Sequence, residues 1–149
     1  MTSKPTTSRK AAGAPKIDPR LAAAIARGET AKKKLAAVEG GSISSTQASQ
    51  LLGISKQTVL RRWRRHQVVG WKRGKAVRFP VWQFAGGKML EGIEDVLRII
   101  DSDDHWRLML YFLSNRHSLG GRRPLDLLRE GKVAEVIEHA KVCAAENAW

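Results

Sequence analysis

The sequence predicts a mainly α chain of α+β class, with a small β-hairpin set between two helical parts. Three observations carry that prediction. Apolar residues recur at helical spacing over most of residues 42–142. One stretch, residues 68–80, instead alternates apolar with basic residues around a Lys-Arg-Gly-Lys tip. Finally, the basic charge is confined to one end. Residues 1–80 hold 18 Lys/Arg against 3 Asp/Glu, a net of +15, whereas residues 81–149 hold 9 against 11, a net of −2.

That asymmetry predicts a front half made for a polyanion and a back half made for something else. Nucleic acid is the leading polyanion, because clustered Lys and Arg release condensed counterions on binding. The length of 149 residues suits one domain or two very small ones. No run approaches the ~18 apolar residues of a membrane span. The N-terminus lacks the apolar core of a secretory signal, so a cytoplasmic protein is expected. Cys143 is the single cysteine, which excludes a disulfide within the chain and fits a reducing compartment.

Residues 1–20 are Ser, Thr, Ala, Pro and Lys with almost nothing apolar, and are expected to be a disordered basic tail. Its Lys4, Arg9, Lys10 and Lys16 suit unspecific phosphate contact. Residues 21–41 form a basic, Ala-rich helical segment. Helical turns are expected over Leu21–Arg27 and again over Thr30–Val38, interrupted by Gly28. Lys32, Lys33 and Lys34 spread around the circumference, which suits a solvated surface as well as phosphate contact.

Residues 42–85 carry the strongest pattern. Ser44 or Ser45 caps a helix with Ala48, Leu51 and Leu52 at helical spacing. Gly53 ends it in a left-handed conformation. Ser55 then caps a second helix over residues 56–66. At about 100° per residue, Val59, Trp63 and His66 share its inner face, while Gln57, Thr58, Arg61, Arg64 and Arg65 face outward. Gln, Thr and Arg are side chains that bond base edges in a major groove, and these five are the expected base-reading residues. Exposed helices usually mix charge signs, because like charges one turn apart repel, yet no acid interrupts this arginine run. Ser55 and Lys56, at the helix N-terminus, and Arg62 are expected on phosphate. A hairpin turning at Gly74 follows, whose Lys72, Arg73, Lys75 and Arg78 would grip the backbone or an adjacent minor groove.

Thr46–Val59, read with Val77-Arg78-Phe79-Pro80, resembles the winged helix-turn-helix of excisionases and MerR-type regulators. The resemblance covers about 40 residues. It implies a winged helix-turn-helix fold with residues 56–66 in the major groove, residues 70–79 as the wing, and a bacterial, nucleoid-associated protein that binds double-stranded DNA.

Residues 86–149 are expected to be a small all-helical domain for a partner or for dimerisation, with no strand. Ile93, Leu97 and Ile100 share one helical face, and Trp106, Leu110 and Leu113 another. Asp101–Asp104 break and cap the chain between them. A short helix starts at Pro124 and ends at Gly131, and a final helix begins near Val133. Leu119-Gly120-Gly121-Arg122-Arg123-Pro124-Leu125, with Asp126-Leu127-Leu128 after it, resembles the C-terminal toxin-binding domain of Xre/MbcA/ParS-type antitoxins. That resemblance implies that residues 119–125 touch a partner toxin and that the chain forms a homodimer or higher homo-oligomer.

The remaining chemistry is sparse. His139 and Cys143 stand four residues apart on one helix, but two further metal ligands at matching spacing are missing. No Gly-rich loop has the context that cradles a phosphate. The expectation is no enzyme, no metal, no cofactor and no small-molecule substrate. Three functions follow from the sequence: a transcriptional regulator of antitoxin-like type; an architectural or recombination-directing factor of a mobile element; or an interaction protein whose helical part neutralises a toxin.

Overall fold

The computed structural model describes residues 18–149; the basic tail and its Lys4, Arg9, Lys10 and Lys16 lie outside the described residues. The chain divides into two units, residues 1–33 and residues 34–149. Among the described residues the fold is mainly helical with a small antiparallel sheet.

Helix α1 (Pro19–Ala37) runs without a break through Gly28. The interruption expected there does not occur, because Ala and Arg before Gly28 and Ala and Lys after it outweigh the roughly 1 kcal/mol that a helical Gly costs. A short 3-10 turn, Val38–Gly40, closes the segment.

The rest builds one core. Strand β1 (Ser42–Ser44) leads into α2 (Ser45–Leu52), capped by a reciprocal pair: Gln47 N–H donates to Ser44 Oγ at 3.1 Å, and Ser44 N–H donates to Gln47 Oε1 at 2.9 Å. Gly53 follows at φ 67°, a value that favours glycine, and turns the chain into α3 (Lys56–Arg64), capped by Ser55. The helix stops two residues short of the expected end. His66 takes φ 60° and leaves the helical face, and its Nδ1 sits 3.0 Å from Asp101 Oδ1.

Strands β2 (Trp71–Arg73) and β3 (Ala76–Pro80) form the expected hairpin, closed by a two-residue turn with Gly74 at φ 64°. Strand β1 adds to the other edge of β3, pairing Ser42 with Pro80 and Ser44 with Arg78, so the sheet order is β1-β3-β2. Three residues are too few to show a period, so β1 is invisible in the sequence. The same holds for β4 (Phe84–Ala85) and β5 (Lys88–Met89), joined through Gly86 and Gly87, both at positive φ. Strand β5 of this second hairpin corrects the expectation that residues 86–149 hold no strand.

Helices α4 (Ile93–Ile100), α5 (His105–Leu113), α6 (Pro124–Arg129) and α7 (Val133–Glu146) complete the unit. Its core is continuous: Val59, Phe79, Trp82, Ile93, Phe112 and Leu125 all belong to one buried cluster. Two separate parts meeting at residues 85 and 86 were expected from composition. The packing instead runs one core through residues 34–149. Glu39 adds a polar tie, pairing with Arg123 at 3.3 Å and Arg129 at 2.9 Å.

A buried side chain organises the middle of this unit. Gln83 is fully buried; its Oε1 accepts from Val69 N–H at 2.9 Å and its Nε2 donates to Val69 C=O at 2.7 Å. The amide thus replaces a missing strand for Val69, as buried backbone groups require. Removing it by Gln83→Ala strands both groups in a dry core, at about 1–3 kcal/mol each. Urea unfolding should therefore show a loss of about 2–5 kcal/mol; a loss below about 1 kcal/mol would mean that water takes over both bonds.

Candidate nucleic-acid interface

The expected ridge lies on the exposed side of α3. Gln57, Arg61, Arg64 and Arg65 are exposed, together with Lys56 and the capping Ser55. Thr58 is half-buried and turned toward its own helix start: its hydroxyl lies 2.8 Å from Ser55 Oγ and 3.4 Å from Arg61 Nη2. It is therefore a part of the cap more than an outward-reaching group. Arg62 is half-buried and lines, with Arg65, His66, Glu94, Arg98 and Asp101, a polar cavity of about 470 Å³.

On the hairpin, Lys72, Arg73 and Lys75 are exposed around the Gly74 turn. Arg78 is not available in the same way. Its Nε donates to Ser42 Oγ at 3.1 Å and its Nη2 to Ser42 C=O at 2.8 Å, so it braces β1 against β3. The expected phosphate contact from Arg78 is thus replaced by a structural role. Ser42 carries no sequence signal for this, since the pairing joins residues 36 apart.

Charge pairing separates the two ends of the unit. Among the described residues, no ion pair involves Arg61, Arg62, Arg64, Arg65, Lys72, Arg73 or Lys75. Toward the C-terminus, Arg98 pairs with Asp95, Arg122 with Glu130, Arg123 with Asp126 and Glu39, and Lys141 with Glu138. Asp95, Asp126, Glu130 and Glu138 of the back half are thus paired with cations close to them in the chain, and Asp101 meets His66. The ridge keeps its positive field, which attracts polyanions over several ångströms.

What aims the ridge is the inner side of α3. Trp63 Nε1–H donates to Gly70 C=O at 2.9 Å, and its ring stacks on His105 at 5.7 Å between centroids. Gly70 N–H in turn donates to His105 Nδ1 at 3.2 Å. A Cβ on Gly70 would lie 2.9 Å from Phe79 Cδ1 and 3.0 Å from the Arg78 carbonyl oxygen, so only glycine lets the chain entering β2 lie this close to β3. Below the hairpin, Trp71 is buried against Trp106 at 5.1 Å between centroids. Neither Gly70 nor His105 stood out in the sequence as part of the site; the Gly70-Trp71 pair opening a basic hairpin was the available signal.

The segment expected to touch a partner is mostly inside the fold. Leu119, Pro124 and Leu125 are buried, Arg122 and Arg123 hold Glu130 and Asp126, and Gly120 and Gly121 remain exposed. His139 and Cys143 do lie together, with Sγ 3.6 Å from Nε2. Both imidazole nitrogens are occupied, however, by Tyr111 Oη at 2.8 Å and Ser118 Oγ at 2.7 Å. Among the described residues, no group of three or more His, Cys, Asp or Glu side chains could hold a metal, and no helix is long and apolar enough to cross a membrane.

No protein-family model and no curated protein matches this chain. Its fold has a solved counterpart. The chain is similar to the NMR structure of Rv2175c at 21% sequence identity, with a TM-score of 0.58 over 72% of this chain and 83% of that one. The likeness extends to the fold.

The His105 contact makes the aim of α3 pH-dependent. Burial, and then the nearby His66, lower the His105 pKa from 6.5 to about 4, against the opposite pull of Asp103 and Asp104. Nδ1 is an acceptor in the folded state, so protonation breaks the bond to Gly70. Because the folded pKa is depressed, the stabilisation is complete above about 6.5 and is lost as pH falls toward about 4. Thermal melts across that window should show wild type losing stability. His105→Asn, which keeps an acceptor near Nδ1 and takes no proton, should show a shallower loss; parallel curves would remove His105 as the cause.

Proposed function

We propose that this chain is a sequence-specific double-stranded DNA-binding protein built as a winged helix-turn-helix, acting as a transcriptional regulator. The observation that carries this reading is the cationic surface of α3 and the hairpin, whose Arg61, Arg62, Arg64, Arg65, Lys72, Arg73 and Lys75 take part in no ion pair among the described residues, whereas Arg98, Arg122, Arg123, Arg129, Lys132 and Lys141 of the back half do. α2, the Gly53 turn and α3 supply the helix-turn-helix geometry, in which the second helix enters a major groove. The β2–β3 hairpin beside it supplies the wing.

The roles divide by position. Gln57, Arg61, Arg64 and Arg65 face outward along α3 and are the base-reading set, Arg fitting guanine O6 and N7 and Gln fitting adenine N6 and N7. Ser55, Lys56, Lys72, Arg73 and Lys75 position the duplex through phosphates. Arg62, half-buried on the flank of α3, would add a phosphate contact. An architectural or recombination-directing role would use the same surface; strong DNA bending would favour it. A toxin-binding role for residues 119–125 has less support, since most of that segment is spent in the core and in ion pairs.

Six to eight phosphate contacts would give log K a slope of roughly −5 to −7 against log[salt]. Duplexes selected from a random-sequence pool provide the test, read by fluorescence anisotropy against scrambled duplex. Arg61→Ala should cost ~1–3 kcal/mol on the selected sequence and relax one position, whereas Lys72→Ala should weaken selected and scrambled duplex alike. Equal losses for Arg61→Ala on both would take Arg61 out of base reading. Absence of any duplex binding by the wild type at low salt would overturn the function.

A further inference from the structure

Among the described residues, helix α1 is the one long element that buries no residue. Only Leu35 and Ala36, at its end, pack partly against the core, while Leu21 and Ile25 stand 55% and 50% exposed. Isolated helices of this length are marginal in water, and Gly28 weakens this one further. Its stability calls for something to lie against.

Its charges are arranged to say what. Arg20, Arg27 and Lys34 recur every seven residues, so at about 100° per residue they fall within roughly 40° of one another along the helix. The rise between successive members is about 10 Å. Asp18 and Glu29, the acids beside this stripe in the sequence, lie on the opposite side of the helix by the same arithmetic. None of the three cations takes part in an ion pair among the described residues. Asp18 instead accepts the backbone N–H of Arg20 at 2.8 Å as part of the helix start.

A second stripe, Leu21, Ala24, Gly28 and Ala31, runs beside the basic one at alternating three- and four-residue spacing. Such a seam could in principle seat the same helix of a second copy. The charges oppose that arrangement. Each cation of the basic stripe directly precedes the Leu21, Gly28 or Leu35 position and would flank the seam. In a parallel pair Arg27 would face Lys32 of the other copy, and in an antiparallel pair Arg20 would face Lys34; like charges at those edges repel. Against a phosphate backbone the same stripe is attractive over its whole length.

We propose that α1 is a second DNA-contacting element, a helical arm that lies along the phosphate backbone through Arg20, Arg27 and Lys34. This rests on the DNA-binding function proposed above and adds an element to it. The arm reads no bases. It raises affinity for every duplex by the same factor and steepens the salt dependence by about 0.9 per phosphate neutralised.

The test uses the full chain carrying Arg20→Gln, Arg27→Gln and Lys34→Gln together, since Gln is about as good a helix former as Arg or Lys. Its binding to a selected and to a scrambled 30-base-pair duplex, a length chosen on the order of three helical turns, is compared with wild type over a salt series. Circular dichroism and sedimentation run alongside. The expected result is a slope shallower by about 2–3, equal on both duplexes, with helix content and sedimentation unchanged. An unchanged slope with intact wild-type binding overturns the arm and leaves the proposed function standing. Leu21→Gln with Ile25→Gln separates the other occupant: a change in sedimentation with duplex binding unaltered would assign α1 to a second copy and overturn the arm. Failure of wild type itself to bind any duplex overturns the DNA-binding function, and the arm with it.

Discussion

The surface described here depends on one small junction, the hydrogen bonds and ring stack at Trp63, Gly70 and His105. Trp63 lies on the inner side of α3, Gly70 opens the hairpin, and His105 begins α5. These three link the two candidate binding elements to the helical core in a single step. The indole and the backbone of Gly70 satisfy one another, and the imidazole satisfies the amide that remains. Each member therefore holds a group that would be costly to leave unpaired. The neighbouring amide of Gln83 does the same for Val69, so Val69 and Gly70 are fixed by side chains rather than by a strand ladder.

Such a junction explains why the ridge can remain uncompensated. A run of arginines on one short helix repels itself by a few tenths of a kcal/mol per pair, and nothing in the helix offsets this. The cost is met by apolar burial below: Val59 is fully buried, and Trp63 packs against the core. Asp95 is held by Arg98 and Asp126 by Arg123, while Glu94 and Asp101 line the cavity beside Arg62 and Arg65 without an ion pair to either arginine. The division of charge seen along the sequence thus survives folding as a division of surface. Asp101 meets His66 just past the end of α3.

The helical back half acts in this arrangement as a support for α3 and the hairpin. α5 supplies His105 and Trp106, the latter under Trp71, and the Glu39 pairs with Arg123 and Arg129 bring the chain leaving α1 onto α6. The segment around Gly120 and Gly121 shows the same economy. Its leucines and proline close the core, and its glycines make the turn that a left-handed backbone requires.

Much of this was legible before any coordinates. A cap at Ser44 or Ser45, the cap at Ser55, the glycine stop at Gly53, the hairpin turn at Gly74 and the outward arginines all follow from local chemistry, because each depends on residues within one or two turns of the chain; the structure chose Ser44. Charge asymmetry likewise needs only the order of residues. What the tertiary structure alone decided is everything that joins distant segments. It withdrew Arg78 from the exposed set by pairing it with Ser42, turned Thr58 into its own cap, and ended α3 early so that His66 could meet Asp101. It also added strands of two and three residues, and made Gly70 and His105 partners across 35 residues. Periodicity cannot announce contacts of that kind: a strand this short has no period, and a hydrogen bond between remote groups leaves no trace in the spacing of either one.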